Sequence, residues 1–223
     1  MKFVLINNFK HGLYLYVLIG FNSVFGGSYE DFFKAIKLDD ANTVQSLLAR
    51  GFDPNTPDPQ NQYGLALAVR EPSPKVVQVL LAAPRIDLNA LNAKEESPLM
   101  LAVFSGDLQL ADQMIKKGAD VNKTGWTPLH YAATKGHLPL IRLLLENHAY
   151  IDADSPNGST PLMMASMYGT ADAVKLLLDE GADAQLRNQQ GLTAMQFAQR
   201  VNRQDVVDML ARTVRATKPS GQW

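Results

Sequence analysis

Few residues in this chain have the types and spacing that catalysis requires. The 223 residues include four histidines and no cysteine. His11 lies in an N-terminal apolar segment, His130 in a recurring phrase, His137 after a glycine and His148 in a turn. No Ser, His and Asp set with a nucleophile elbow is present, and no glycine-rich phosphate loop precedes a helix. The sequence therefore predicts no catalytic residues and no enzyme activity.

One loop has the residue types of a cation site. Asp152, Asp154 and Asn157 resemble the spacing of a calcium loop, but the downstream bidentate glutamate of such loops is missing. Aspartate and asparagine at these positions also form turns through their side chains. No pair of histidines or carboxylates has the spacing of a zinc site. We predict a turn here, with no metal and no cofactor.

A six-residue phrase repeats along the chain and indicates how it folds. Clear copies are 97–102 (SPLMLA), 127–132 (TPLHYA), 160–165 (TPLMMA) and 193–198 (TAMQFA), and 63–68 (YGLALA) is a weaker copy. The copies start 34, 30, 33 and 33 residues apart. A period of this length indicates stacked helical units rather than one globular core.

Each phrase predicts the start of a helix. The hydroxyl of Thr127 or Thr160 can cap a helix whose first position is Pro128 or Pro161, where no hydrogen-bond donor is needed. Small residues follow and allow a second helix to approach closely, which carries bulky residues such as Ile141, Leu143 and Leu144. Each unit is therefore predicted to be a pair of helices.

Glycine marks the end of several second helices. Gly118 and Gly181 can adopt the left-handed conformation that ends a helix. His148 stands at the matching place in one unit, and Pro84 or Arg85 in another. We expect those two turns to be irregular.

The agreement of phrase, spacing and the Gly-Ala-Asp turn in several copies resembles the ankyrin repeat over about residues 29–212. The resemblance implies an all-α solenoid of about six helix-turn-helix units with short β-hairpin-like fingers. It also implies protein partners, no shared reaction, and a structural role for His130, which bonds backbone of the neighbouring repeat. The expected repeats are 29–60, 61–93, 94–123, 124–156, 157–189 and 190–212, with polar caps at both ends.

The first 28 residues lie outside the repeats and have the order of a secretory signal peptide. Lys2 and Lys10 precede an apolar run at 12–21, and small residues at 26–28 precede Glu30. The run is shorter than the roughly 20 residues that span a bilayer. An uncleaved anchor and a buried N-terminal helix are the alternatives. We expect residues 213–223 to form a disordered tail.

Composition limits the cellular locations and the classes of binding partner that we expect. Without cysteine the chain has no lipid-attachment site and no disulfide. A net charge of -1 gives no reason to expect nucleic acid as a partner. The chain resembles exported ankyrin proteins of Gram-negative bacteria, which implies a periplasmic or secreted monomer. Membrane contact is expected only if the N-terminal segment is retained, and no small-molecule substrate is expected.

The candidate binding face follows from the positions that point outward in such repeats, which are the residue before the phrase and the pair after its small residues. Several of these positions hold aromatic, methionine or basic residues. Aromatic residues and arginine often dominate the free energy of binding. The predicted partner-binding residues are Phe104, Trp126, Lys135, Met167, Tyr168 and Arg200. As the alternative, Trp126 packs across neighbouring fingers and Met167 fills a gap between helices.

One finger is shorter than the others. Two residues separate Asn122 from Gly125, whereas five separate Asp152 from Gly158. This predicts a notch beside Trp126 and Phe104, although surface loops also tolerate neutral deletions.

These features favour a non-enzymatic interaction module, acting in the periplasm as a binding, chaperone-like or inhibitory partner of an unidentified protein. The alternatives are a membrane-anchored scaffold and an immunity protein that occludes a toxin.

Overall fold

The computed structural model describes residues 27–216, which form twelve helices and no strand. Residues 27–37 form α1. The other helices are α2 Ala41–Ala49, α3 Gly64–Arg70, α4 Pro74–Ala82, α5 Pro98–Ser105, α6 Leu108–Lys116, α7 Pro128–Lys135, α8 Leu138–Glu146, α9 Pro161–Tyr168, α10 Ala171–Asp179, α11 Ala194–Arg200 and α12 Gln204–Ala216. The predicted all-α class is confirmed. None of these helices combines the length and the apolar character needed to cross a bilayer.

The chain divides into two compact units at residue 86. In the first, α4 packs on α2 and α3. In the second, the first helices of the repeats, α5, α7, α9 and α11, pack side by side in chain order, and so do the second helices α6, α8, α10 and α12. The second unit is therefore two layers of helices, with the apolar core between neighbouring pairs.

The phrases begin helices as predicted. The Oγ of Ser97 accepts the N–H of Met100 at 3.2 Å, and the Oγ1 of Thr160 accepts that of Met163 at 3.4 Å. Thr127 differs, because its hydroxyl lies 2.9 Å from the Nδ1 of His130. The small residues and leucines of the phrases are buried between the layers, as in Leu99, Ala102, Leu129, Ala132, Leu162 and Ala165.

Three second helices of the second unit end in the same turn. Gly118 and Gly181 have φ angles of 97° and 99°, and His148 has a φ of 65°. The N–H groups of His148 and of the next residue donate to the carbonyls of Leu145 and Leu144 at 3.0 and 2.9 Å. The expectation of an irregular turn at His148 was wrong, because these two hydrogen bonds impose the left-handed conformation on a histidine.

The turn after α4 is irregular, as expected from its missing glycine. Residue 83 has an extended conformation with φ of -68° and ψ of 128°, and its N–H donates to the carbonyl of Leu80 at 3.0 Å. Ile86 then donates to the carbonyl of Ala83 at 3.2 Å.

Asparagine and aspartate side chains at the bases of the fingers link successive repeats. In the second unit, the Oδ1 of Asn89 accepts the N–H of Asp120 at 2.9 Å, and the Oδ1 of Asn122 accepts that of Tyr150 at 2.8 Å. The amide of Asn122 also donates to the carbonyl of His148 at 2.8 Å. We call the set formed by Asn89, Asn122 and Asp152 the Asx ladder.

Asp152 is the third member of the Asx ladder. Both of its carboxylate oxygens lie 3.2 Å from the N–H of Asp183. Burial raises the pKa of Asp152, and the neighbouring carboxylates of Asp183 and Asp154 raise it further. The described part of the chain contains no group of three or more histidine, aspartate or glutamate residues placed to hold a metal ion. Asp152, one of the residues that resembled a calcium loop, thus links two repeats.

His130 links two repeats through both of its ring nitrogens. Its Nδ1 accepts the N–H of Thr127 at 3.2 Å, and its Nε2 lies 2.9 Å from the carbonyl oxygen of Ser159. These contacts require the neutral ring with the proton on Nε2. Burial lowers the pKa of His130 to about 4. The structural role expected for this residue is confirmed.

The helical range differs from the predicted boundaries at both ends. Helix α1 already includes residues 27 and 28, and α12 continues to Ala216, four residues past the predicted end at 212. Residues 213–216 are therefore helical, and the side chain of Arg215 donates to the carbonyl of Ala211 at 3.0 Å. A basic residue in the last turn favours such an extension. The rest of the signal and tail predictions, 1–26 and 217–223, falls outside the described residues.

We expect His148→Gly to stabilise the protein, because glycine adopts a positive φ without the steric cost that a side chain adds. The expected gain in the free energy of unfolding is about 1 kcal/mol, measured by urea denaturation followed by circular dichroism. Gly118→His is the matched reverse change, since a Cβ at Gly118 meets no atom within 4 Å. It should lose a similar amount, and two variants of unchanged stability would show that the turn stores no strain.

We expect part of the acid sensitivity of folding to come from His130. Its pKa lies near 4 in the folded chain and near 6.5 when unfolded, so its contribution is complete above pH 6.5 and is lost as the pH falls toward 4. The loss amounts to about 3 kcal/mol at most.

The comparison variant is His130→Gln, because Gln196 occupies the matching position in the last repeat and its Oε1 accepts the N–H of Thr193 at 2.9 Å. The variant should be less stable at pH 7 but should change less between pH 6.5 and 4. Equal pH dependence of the two proteins would contradict a titrating role for His130.

Candidate functional site

The C-terminal ends of the first helices carry most of the residues predicted to bind a partner. Phe104 is 46% exposed and Tyr168 is 58% exposed, and the side chains of Lys135 and Arg200 are also exposed. These four residues lie at or next to the last position of α5, α9, α7 and α11, respectively. Because these helices pack side by side in the second unit, their ends form one surface, which we call the first-helix face.

Trp126 and Met167 are half-buried rather than exposed. The ring of Trp126 meets that of His130 edge to face, with 5.2 Å between centroids. Trp126 thus covers the histidine that links two repeats, which agrees with the packing role considered for it. A partner could reach only part of either side chain.

Phe104 is held in place by residues of the next repeat. The rings of Phe104 and Tyr131 meet edge to face with centroids 5.9 Å apart, and the Nζ of Lys135 lies 4.5 Å from the centroid of the Phe104 ring. The latter distance is that of a cation–π contact. We call Phe104, Tyr131, Lys135 and Glu96 the Phe104 cluster.

Glu96 fixes the far end of this cluster. Its Oε1 accepts the hydroxyl of Tyr131 at 3.0 Å, and its Oε2 accepts the amide of Asn92 at 2.9 Å. Burial raises the pKa of Tyr131, and the charge of Glu96 raises it further, so the hydroxyl stays protonated and donates. The cluster therefore presents an exposed aromatic ring in a fixed orientation.

Sequence reasoning missed Tyr131. It lies inside the phrase, at a position that is leucine or methionine in the two neighbouring repeats, and the rule that selected outward positions did not include it. That rule also failed at Ser159, which stands before the phrase like Trp126 but is only 1% exposed. The carbonyl of Ser159 accepts from His130, which draws the residue into the space between repeats.

The short finger is closed differently from a full-length one. In the finger after α10, the Oδ1 of Asn188 accepts the N–H groups of Gln190 and Leu192, both at 3.0 Å. In the short finger, the Nζ of Lys123 instead donates to the carbonyls of Thr124 and Trp126 at 2.8 and 3.2 Å. A lysine side chain thus replaces the missing asparagine turn.

The following finger lies close to this deletion. A Cβ placed on Gly125 would stand 3.5 Å from the Cγ of Pro156. The notch expected beside Trp126 and Phe104 remains a prediction.

Comparison with known proteins places this geometry in a family. The family model for ankyrin repeats matches three times, over residues 32–124, 65–155 and 148–219. Among solved structures, the crystal structure of EF0377, an ankyrin repeat protein, superimposes with a TM-score of 0.72 and 27% sequence identity, covering 82% of this chain and 96% of that one. The fold class and the resemblance to ankyrin repeats are thereby confirmed.

Curated relatives share the repeats within proteins of different kinds. Mouse protein phosphatase 1 regulatory subunit 27 is 31% identical over 93 residues, which are 40% of this chain and 60% of that protein. Mouse 2-5A-dependent ribonuclease is 37% identical over 70 residues, 30% of this chain but only 10% of the enzyme. The chain thus matches less than two thirds of the length of either relative. It belongs to the ankyrin repeat family, whose fold generally serves as a non-enzymatic scaffold for protein-protein interaction.

Proposed function

We propose that this protein binds another protein through the first-helix face and does so without catalysis, as an exported binding, chaperone-like or inhibitory partner. The observation that carries the proposal is the exposed Phe104 ring, held by Tyr131 on one side and Lys135 on another. An aromatic side chain that is already oriented loses little conformational freedom on binding, so more of its contact energy appears as affinity.

Tyr168 extends this surface along the stack. It lies at the end of α9, which packs against both α7 and α11, and more than half of its surface is open to solvent. Two exposed aromatic residues on one face, two repeats apart, suit a protein partner, because such residues dominate interface energies. Catalysis is not part of the proposal, since His130 is occupied by backbone contacts and His148 forms a turn.

Export is the second part of the proposal and rests on the N-terminal sequence. The basic start, the apolar run at 12–21 and the small residues at 26–28 support a cleaved signal peptide and a periplasmic or secreted monomer. A membrane-anchored scaffold is the alternative, favoured by the same apolar run if it is retained.

Mass spectrometry of the protein from fractionated cells separates these alternatives. A soluble chain that begins between residues 27 and 29 supports export. A full-length chain in the membrane fraction would support the anchored scaffold, and a full-length chain in the cytosol would contradict both.

We expect Phe104→Ala/Tyr168→Ala to weaken partner binding at least tenfold, because the variant removes both exposed aromatic rings of the proposed interface. The partner is first captured by crosslinking from periplasmic extract, and its affinity for the purified wild type and variants is then measured by titration calorimetry. Circular dichroism establishes that the variants remain folded.

Tyr150→Ala is the matched control. Tyr150 is 69% exposed but lies in the turn after α8, away from the ends of the first helices. Its removal should leave affinity unchanged. A partner that binds the double variant as tightly as the wild type would show that the first-helix face is not the binding surface.

A further inference from the structure

Charge is divided unevenly between the two helical layers of the second unit. The first helices α5, α7, α9 and α11 contain no aspartate or glutamate, and their charged residues are Lys135 and Arg200. The second helices contain both signs, with the acidic residues Asp112, Glu146, Asp172, Asp179, Asp205 and Asp208. The helical part of the first-helix face is therefore positive, although the whole chain has a net charge of -1.

The two cations of this face are not used in ion pairs within the described residues. The ion pairs found there are Arg70–Glu71, Lys116–Asp112, Arg142–Glu180 and Lys175–Asp179. Lys135 instead lies over the ring of Phe104, and the side chain of Arg200 is exposed. Either cation can receive a carboxylate from a partner without losing a carboxylate of its own chain.

Aromatic and basic residues alternate along the face. The helix ends present Phe104 on α5, Lys135 on α7, Tyr168 on α9 and Arg200 on α11. Packed helices lie about 8–10 Å apart, and an extended chain rises about 3.3 Å per residue. The spacing between successive helix ends therefore equals the length of about three residues of an extended peptide. Lys135 and Arg200, two helices apart, would face peptide residues about six positions apart.

Two acidic residues flank the Phe104 end of the face. Glu96 precedes α5 by two residues and Asp107 follows it by two. The Oδ1 of Asp107 caps α6 by accepting the N–H of Leu110 at 2.9 Å. Both carboxylate oxygens of Glu96 accept hydrogen bonds within the chain, from Tyr131 and Asn92. Its negative charge stands at the Phe104 end of the face, where a partner would place an apolar residue.

We infer that the partner contributes an extended acidic peptide segment to the first-helix face. Two carboxylates about six residues apart lie against Lys135 and Arg200, and an apolar residue between them packs on Tyr168. This inference rests on the proposed function, since it names the chemistry of the partner at the same surface.

The test is a selection of random 12-residue peptides, displayed on phage, against the full chain. We expect the selected peptides to be enriched in aspartate and glutamate at positions about six apart. Fluorescence anisotropy of labelled copies should show binding that weakens about tenfold in Lys135→Gln/Arg200→Gln, in line with the loss of two exposed charge pairs. Binding should also weaken as sodium chloride is raised.

Lys116→Gln/Lys175→Gln is the matched control. It removes the same charge from the second helices α6 and α10, and it should change the affinity of the peptides little. An equal loss in both double variants would show that only the net charge matters, which would overturn the inference.

The Phe104→Ala/Tyr168→Ala variant separates this inference from the proposed function. Neutral or basic peptides that bind the wild type and are lost in Phe104→Ala/Tyr168→Ala would overturn the acidic segment and leave the binding face standing. Peptides that bind all variants equally, or a selection without binders, would count against both. A labelled dT12 oligonucleotide that displaces the peptides with higher affinity would overturn a peptide as the occupant.

Discussion

No helix pair in this chain can bury its own apolar side, so each repeat depends on its neighbours. In the second unit, the leucines and alanines of the phrases are buried where a first helix packs on its own second helix and on the neighbouring pairs. Polar contacts then fix the offset between neighbouring pairs. The ring of His130 and the side chains of the Asx ladder each form a hydrogen bond with the backbone of the following repeat. A different offset would leave these buried polar groups without partners, which is costly.

This dependence on neighbours explains which parts of the fold could be predicted from the sequence. Helix starts were predictable, because a cap residue followed by proline acts within one turn. The role of His130 followed from the family pattern. The turn at His148 was not predicted correctly, since residue preference favours glycine there but the hydrogen bonds of the turn outweigh the preference. Residue preference alone therefore does not predict the backbone conformation of a turn that is held by hydrogen bonds.

The first-helix face was predictable in outline and not in its contacts. Repeat position was enough to select Phe104 and Tyr168 as exposed. The bond between Tyr131 and Glu96 joins residues 35 positions apart, and its existence depends on the offset between two repeats, which no local pattern contains. For Ser159, repeat position predicted an exposed residue, but the residue is buried. Its carbonyl contacts His130 of the preceding repeat, and a local pattern does not contain this contact either.

The Asx ladder and the finger tips are separate structures. Asn122 holds its place in the ladder even though three residues are missing from the finger that follows it. Stacking and finger length can therefore change independently during evolution. Insertions or deletions at a finger tip alter what the protein touches while the repeats stay aligned, so descendants of one stable scaffold can acquire new partners by small changes in loop length.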